Sequence, residues 1–340
     1  MRIGVDVMGG DHAPHPILEG ALSAIEHLHD EDVVVLFGDQ KIIEQGVADS
    51  GVDTSRVEIV STTQEISMDE SPVDAVRQKQ DSSLVQLCKA GSKKADHPID
   101  AVISAGNTGA FVAASQMYLR RLPNVHRPGI AAAVPTFTGT VCFIDVGANI
   151  EPKPVHLAQY GVMGKVYAER ILGIDNPRVA IMNVGGEEQK GTSDLKDARD
   201  MLRDAPDINF IGYIEGRTLF DGGTDVVITD GIVGNVSIKL AEGLATGLIN
   251  KLASEIMKAD PELADAFKPI IKKFYKDYDY HEYGGAPLLG VNGVSMITHG
   301  SAEARTIENA VRRTRQFVDF EVNEHIVEQL GSIEERTTVG

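Results

Sequence analysis

The chain has 340 residues, 42% of them hydrophobic and 24% charged, with a formal net charge of −18. That balance fits a soluble globular protein with a sizeable core, and the length alone allows about two domains. The acidity argues against nucleic acid as a partner and makes any local run of lysine or arginine informative. No uninterrupted apolar run is long enough to span a bilayer.

Strand-like runs recur at Ile3–Val7, Val33–Gly38, Val57–Val60, Ala101–Ser104, Val141–Asp145, Arg178–Val184, Asn209–Tyr213, Val226–Thr229 and Ser295–Ile297. Amphipathic helical stretches lie between many of them. Pro16 opens one, with Ile17, Ala21, Ile25 and Leu28 on a stripe. This alternation predicts a mostly parallel sheet flanked by helices. A single long C-terminal helix is expected to carry Ile307, Ala310, Val311, Phe317, Val318, Val322 and Ile326. With no repeat and no low-complexity linker, residues 1–330 read as one domain, and 331–340 as a flexible tail.

The exception is a helix-rich excursion over about 236–283. Leu240, Leu244, Leu248, Leu252 and Ile256 keep a four-residue step, and Asp260-Pro261 reads as the cap and first residue of the next helix. There Phe267, Ile270, Ile271, Phe274 and Tyr278 share a face beside Lys268, Lys272 and Lys276. The stretch predicts a protruding helical arm that joins two copies, with a basic stripe suited to an acidic protein or an anionic membrane. Cys88 and Cys142 show no metal spacing and read as buried thiols in a reducing compartment. The N-terminus enters a strand with no signal-peptide apolar region, so the expected location is the cytoplasm.

Five of the apolar runs end in glycine-rich, small-polar loops: IGVDVMGGDHAP (Ile3–Pro14), ISAGNTGA (Ile103–Ala110), FIDVGAN (Phe143–Asn149), IMNVGGEEQKG (Ile181–Gly191) and VVITDGIVGN (Val226–Asn235). Open α/β sheets bind ligands outside the carboxyl ends of their strands. Glycine lets backbone N–H groups approach an anion there, and a following helix adds its positive dipole end. Five such loops converging on one sheet edge would form an anion-handling site. Neither GxGxxG after the first strand nor a GxxxxGK[ST] loop occurs, and no HExxH, EF-hand or convincing histidine spacing suggests a metal. Asn, Thr, Asp, Gly and Lys190 can instead hold a compact anion and polarise a carbonyl.

In chain order, MGGDHAP, SPVDAVRQK (Ser71–Lys79), SAGNTGA, DVGAN, NVGGEEQKG, TDGIVGN, YGGAPLLG (Tyr283–Gly290) and HGS (His299–Ser301) resemble the motifs of the bacterial phosphate acyltransferase family, PlsX. The resemblance runs from Arg2 to about Gln329. It implies a three-layer α/β/α sandwich akin to isopropylmalate dehydrogenases and phosphotransacetylases. It also implies transfer of a fatty acyl group from acyl carrier protein to inorganic phosphate, early in phospholipid synthesis. A homodimer is implied, with peripheral contact to the inner face of the membrane or to a membrane-bound glycerol-phosphate acyltransferase. The resemblance implies no metal and no cofactor.

By motif match, Lys190 and Asn235 carry over as catalytic. Gln189 stands where many relatives have a second basic residue, and Thr192 where members often have Asn. Lys190 is expected to neutralise phosphate or oxyanion. Asn235 is expected to donate to the oxyanion or to cap the following helix. Expected phosphate and substrate contacts are Gly10, Asp11, His12, Ser104, Gly106, Asn107, Thr108, Asp145, Asn149, Asp230, Gly231 and His299. Each also has a plainer reading: Asp11 as a turn residue, Asn107 and Thr108 as caps, Asp230 as a strand terminator or a support for Lys190 or Asn235, His299 as structural. Three rivals share these features: a phosphotransacetylase using acyl-coenzyme A, a metal- and nicotinamide-dependent dehydrogenase, and a non-enzymatic scaffold for lipid enzymes.

Overall fold

The computed structural model describes the backbone of residues 1–277 and 284–339, and side chains except within 275–283 and 332–340. Tyr278 and Tyr283, and the side chain of Lys276, therefore lie outside the described residues. Eleven strands form one sheet: β1 (Arg2–Asp6), β2 (Val33–Gly38), β3 (Val57–Ser61), β4 (Ala101–Ser104), β5 (Gly129–Thr136), β6 (Gly139–Ile144), β7 (Arg178–Met182), β8 (Asn209–Ile214), β9 (Val226–Ile228), β10 (Ala286–Leu289) and β11 (Val294–Ile297). Their spatial order is β3-β2-β1-β4-β11-β10-β5-β6-β9-β7-β8. Seven of the ten neighbouring pairs are parallel, which makes the sheet mostly parallel as its sequence pattern predicts.

The three antiparallel pairs sit together, at β11-β10, β10-β5 and β5-β6. Three successive reversals leave β6, β9, β7 and β8 running opposite to β3, β2, β1, β4 and β11. The five glycine loops therefore do not leave one common edge, as the strand pattern alone suggests. They leave two half-sheets of opposite direction.

β5 and β10 are the strands that the sequence pattern does not show. β5 reads GIAAAVPT, an alanine-rich run that favours helix on propensity. β10 is four residues long and contains Pro287. Both are held by buried pairing in the sheet interior, a tertiary effect that local propensity does not encode.

Helices cover both faces. On one side, α1 (His15–Ser23), α2 (Gln40–Ser50), α6 (Pro154–Arg170), α7 (Ser193–Asp204), α10 (Ala304–Asp319) and α11 (Val322–Val339) bury a core with Ile3, Val5, Val34 and Leu36. On the other, α3 (Pro72–Gln78), α4 (Ser83–Ala90) and α5 (Thr108–Tyr118) cover Val35, Phe37, Val102 and Ile130. Alternate residues of β2 thus face opposite cores, the period-two signature of a sheet covered on both sides. Cys88 and Cys142 are fully buried and unpaired. The expected single C-terminal helix is two, broken at Glu321 (φ 50°), and the backbone stays helical to Val339, through the expected tail.

The second face is covered unevenly. Past β5, the next helix over it is α8 (Gly231–Ala259), which touches a small cluster of Val141, Phe143, Ala180 and Val227 through Ile238. Ile130 belongs to the α3–α5 cluster and Val134 to the small one, with half-buried Ala132 between them. An alanine there leaves space between the two helical covers.

α8 begins five residues before the expected excursion. Asp260 caps α9 (Pro261–Asp277), accepting from Glu262 N at 2.9 Å and Leu263 N at 3.2 Å. Length and composition alone would let α8 cross a bilayer, although Lys239, Glu242 and Lys251 interrupt it. Leu240, Leu244, Leu248 and Leu252 are 54–67% exposed along it.

Candidate active site

A cavity of about 870 Å³ opens over β5, between the N-terminal end of α5 and the flank of α8. Asp11, Thr108, Thr298, His299 and Gly300 line it from the first half-sheet. Gly147 and Asn235 line it from the second. Ile130, Ala132 and Val134 of β5 and Ile238, Ala241, Leu244, Ala245 and Leu248 of α8 supply apolar lining, with Lys239 and Glu242 of α8 among them. Phe137, Phe220 and Phe274 also line it, the first two rings 5.9 Å apart. From Asn235 to Ile249 the lining follows α8 for ~21 Å at 1.5 Å per residue. A long, largely apolar lining with a few polar groups suits a molecule with a reactive head and a hydrocarbon tail.

The first polar group is assembled by Asp6, a residue that the motif reading passes over. Its buried carboxylate accepts from Ser104 Oγ at 2.7 Å, and Ser104 Oγ accepts from Gly106 N at 3.0 Å. Burial raises the Asp6 pKa, while hydrogen bonds to it act in the opposite sense. A Cβ on Gly9 would stand 2.4 Å from Asp6 Oδ2, so the first loop folds over Asp6 only with glycine there. Asp11 N donates to Gly300 O at 2.7 Å, tying the first loop to the last. Ser104 Oγ and Gly106 N are thus engaged with each other and with Asp6.

Asn107 is also spoken for. Its side-chain oxygen caps α5 through Ala110 N at 3.0 Å, and its amide donates to the carbonyls of Ser67, Met68 and Glu70. The exposed Thr108 after it does line the cavity, as does Asp11, whereas His12 is exposed and outside the lining. His299 lines it too. Its Nδ1 lies 2.7 Å from Ser301 Oγ and 3.2 Å from Ser301 N, which fixes the ring's orientation. Thr298 is a further residue missed by motif reading: its hydroxyl is buried, unpartnered and set in the lining residue before His299.

The second polar group is organised by Asp145. Its carboxylate accepts from the backbone N–H groups of Ile130, Gly147, Ala148 and Asn149 at 2.6–3.2 Å. Burial raises its pKa and these bonds oppose the rise. A carboxylate so occupied shapes the loop. Asn149 is structural as well: Nδ2 donates to Pro128 O at 2.7 Å, and its carbonyl accepts from Gly231 N at 2.8 Å.

Asp230 caps α8 through Ile232 N and Val233 N at 2.9 and 2.8 Å. It supports neither Lys190 nor the Asn235 side chain, and Asn235 is not the cap. Gly231 is packed against Asn149: a Cβ there would stand 2.7 Å from Asn149 O. Asn235, one turn into α8, is half-buried and has no hydrogen-bond partner among the described residues. Its amide is available to a ligand in the cavity.

Lys190 stands apart. It is exposed, without an ion pair among the described residues, and it is not among the residues lining the cavity. The turn beyond it requires glycine: Gly191 has φ 85°, and a Cβ there would stand 2.7 Å from Asn183 Oδ1. Thr192 caps α7 by accepting from Leu195 N at 3.3 Å. Gly10 shapes the first loop with φ 126° but does not line the cavity. Among the described residues, no three His, Cys, Asp or Glu side chains cluster as metal ligands do.

A family model described as "Fatty acid synthesis protein" matches residues 1–325. A phosphate acyltransferase of Heliobacterium modesticaldum is 44% identical over 336 residues, covering 96% of this chain and 98% of that one. Another, from Desulfitobacterium hafniense, is 45% identical over 337 residues, covering 97% and 98%. Among solved structures, a phosphotransacetylase from Streptococcus pyogenes aligns with TM-score 0.57 and 15% identity over 94% of both chains. The EutD phosphotransacetylase from Staphylococcus aureus aligns with TM-score 0.56 and 15% identity over 93% of both. These two share the fold. The sequence matches span nearly the whole chain, and the protein, an acyltransferase, belongs to the phosphate acyltransferase family.

Proposed function

We propose that the protein transfers a fatty acyl group reversibly from acyl carrier protein to inorganic phosphate, giving an acyl-phosphate for phospholipid synthesis. The observation that carries this reading is the cavity, whose lining combines Asn235, Thr108 and His299 with a largely apolar run that follows α8 for ~21 Å by the helical rise. The fatty chain lies in the slot and its thioester carbonyl reaches the polar end. A phosphate oxygen attacks the carbonyl carbon, a C–O bond forms, and negative charge collects on the carbonyl oxygen. The Asn235 amide donates to that oxyanion. The C–S bond then breaks and the departing thiolate takes a proton from solvent or from His299 in its imidazolium form. Lys190, carried over by motif, is the cation we assign to phosphate.

The exposed leucine row of α8 supports a homodimer, because a second copy would bury it. α9 pairs exposed Ile270 and Phe274 with exposed Lys272 and Lys273, while Lys268 is ion-paired to Asp265 at 2.6 Å. That composition supports a cytoplasmic protein that touches the anionic inner face of a membrane. The fold shared with phosphotransacetylases keeps acyl-coenzyme A as the second reading. Purified protein offered both thioesters with phosphate separates them. A kcat/KM at least tenfold higher with the carrier protein supports the proposal, and the reverse ratio selects the second reading.

A further inference from the structure

We infer that the surface formed by Arg121, Arg127 and Lys153, with His126 and His156, is the docking site for an acidic carrier protein that delivers the acyl chain. The inference rests on the function proposed above and identifies where its protein substrate sits.

The cluster is geometrically defined. Arg121 Nη1 donates to His126 O, the rings of His126 and His156 meet edge-on with centroids 6.3 Å apart, and Lys153 N donates to His156 Nδ1 at 3.0 Å. Arg127, His126, Lys153 and Arg121 all act on His156 electrostatically, which places them around it. Arg121, Arg127 and Lys153 are exposed, and none is ion-paired among the described residues. Segments 121–127 and 149–156 contain one carboxylate in Glu151 besides these cations. Crowding unpaired cations is unfavourable in an isolated protein, and on a chain of net charge −18 it forms a local patch of opposite sign. Such a patch steers an acidic partner that the rest of the surface repels.

Its position suits delivery. Pro128, next to Arg127, accepts from Asn149 Nδ2, and the Asn149 loop carries the Gly147 that lines the cavity. Ile130, three residues beyond Arg127, also lines the cavity, ~10 Å away at most along an extended strand. Ile150, 66% exposed beside the cations, offers an apolar contact within a charged rim. One exposed isoleucine suits a protein contact better than a membrane, which needs a row of large apolar groups.

The test compares wild type with Arg127→Glu/Lys153→Glu, and with Arg127→Gln/Lys153→Gln as the milder variant should the reversal unfold. Carrier-protein binding is measured without turnover by fluorescence anisotropy, beside KM for acyl carrier protein, acyl-pantetheine and phosphate. We expect carrier Kd and KM to rise about tenfold at low salt, with the gap closing as salt is added, and the other two KM values unchanged. Unchanged carrier binding in a folded variant overturns the inference. So does an equal rise with acyl-pantetheine, or lost binding to anionic vesicles with carrier affinity intact. Because binding is read without chemistry, failure of acyl transfer in the wild type would count against the proposed function and not against the dock.

Discussion

The side-chain amide of Asn235 lies against Gly147: a Cβ built on that glycine would stand 3.5 Å from Nδ2. Gly147 has φ 143°, a conformation that side chains rarely adopt. Gly147 sits in the loop after β6 and Asn235 one turn into α8, and both line the cavity. The glycine keeps the approach to the amide open. Asn235→Ala is expected to lower kcat by about 10²–10³-fold, as loss of one oxyanion donor does elsewhere, with the melting temperature nearly unchanged. Gly147→Val should lower kcat about as far by crowding the amide. Steady-state kinetics with thermal melting checks both, and an Asn235→Ala enzyme with near-wild-type kcat would remove Asn235 from the chemistry.

Lys190 is exposed and unpaired, so its removal should leave stability intact. Lys190→Ala is expected to cost about 10²–10³-fold in kcat if its charge is recruited in the transition state. Because it lies outside the cavity lining, the loss should appear in kcat more than in the KM for thioester. More than about half of the wild-type kcat remaining would make it a bystander, because the expected loss is so much larger.

Ala132 occupies the floor of the slot between Ile130 and Val134. Ala132→Phe should fill part of the slot. We expect kcat/KM for a long-chain acyl thioester to fall about tenfold or more, since each buried methylene is worth about 0.8 kcal/mol. A short-chain thioester should be turned over nearly as before. Equal losses for both chain lengths would show that the slot does not hold the acyl tail.

The motif order made the chemistry readable, and the strand alternation made most of the sheet readable. What stayed hidden depended on contacts distant in sequence. β5 and β10 look unlike strands until neighbours pair with them, and their reversals split the loops between two half-sheets. Asp145, Asn107 and Asp230 look like ligands in a one-dimensional reading because caps and loop organisers use the same residue types as anion sites. Asp6 was hidden for the converse reason: it sits inside a strand that reads as core, and its partner Ser104 is 98 residues away. The sign that could have revealed it is a carboxylate in an otherwise apolar run just before Gly9-Gly10.

His156 gives a pH signature. Its Nδ1 accepts from Lys153 N, so the fold favours the neutral ring. Burial first, then Arg127 and its cationic neighbours, lowers its pKa to about 4. A depressed histidine pKa means that the unfolded chain binds the proton first, so stability falls as pH drops from about 6.5 to about 4. Unfolding midpoints of wild type and His156→Gln measured across that window should differ in slope, the variant losing less on acidification. Parallel curves would show that His156 is not held neutral by the fold.

The most direct measurement incubates the pure protein with long-chain acyl carrier protein and inorganic phosphate, and traps product with hydroxylamine. The account predicts acyl hydroxamate that requires phosphate, survives EDTA, and is lost with Asn235→Ala. Adding acyl-phosphate and free carrier protein should regenerate the thioester. No phosphate-dependent hydroxamate from the carrier thioester, by a folded protein, would contradict the account.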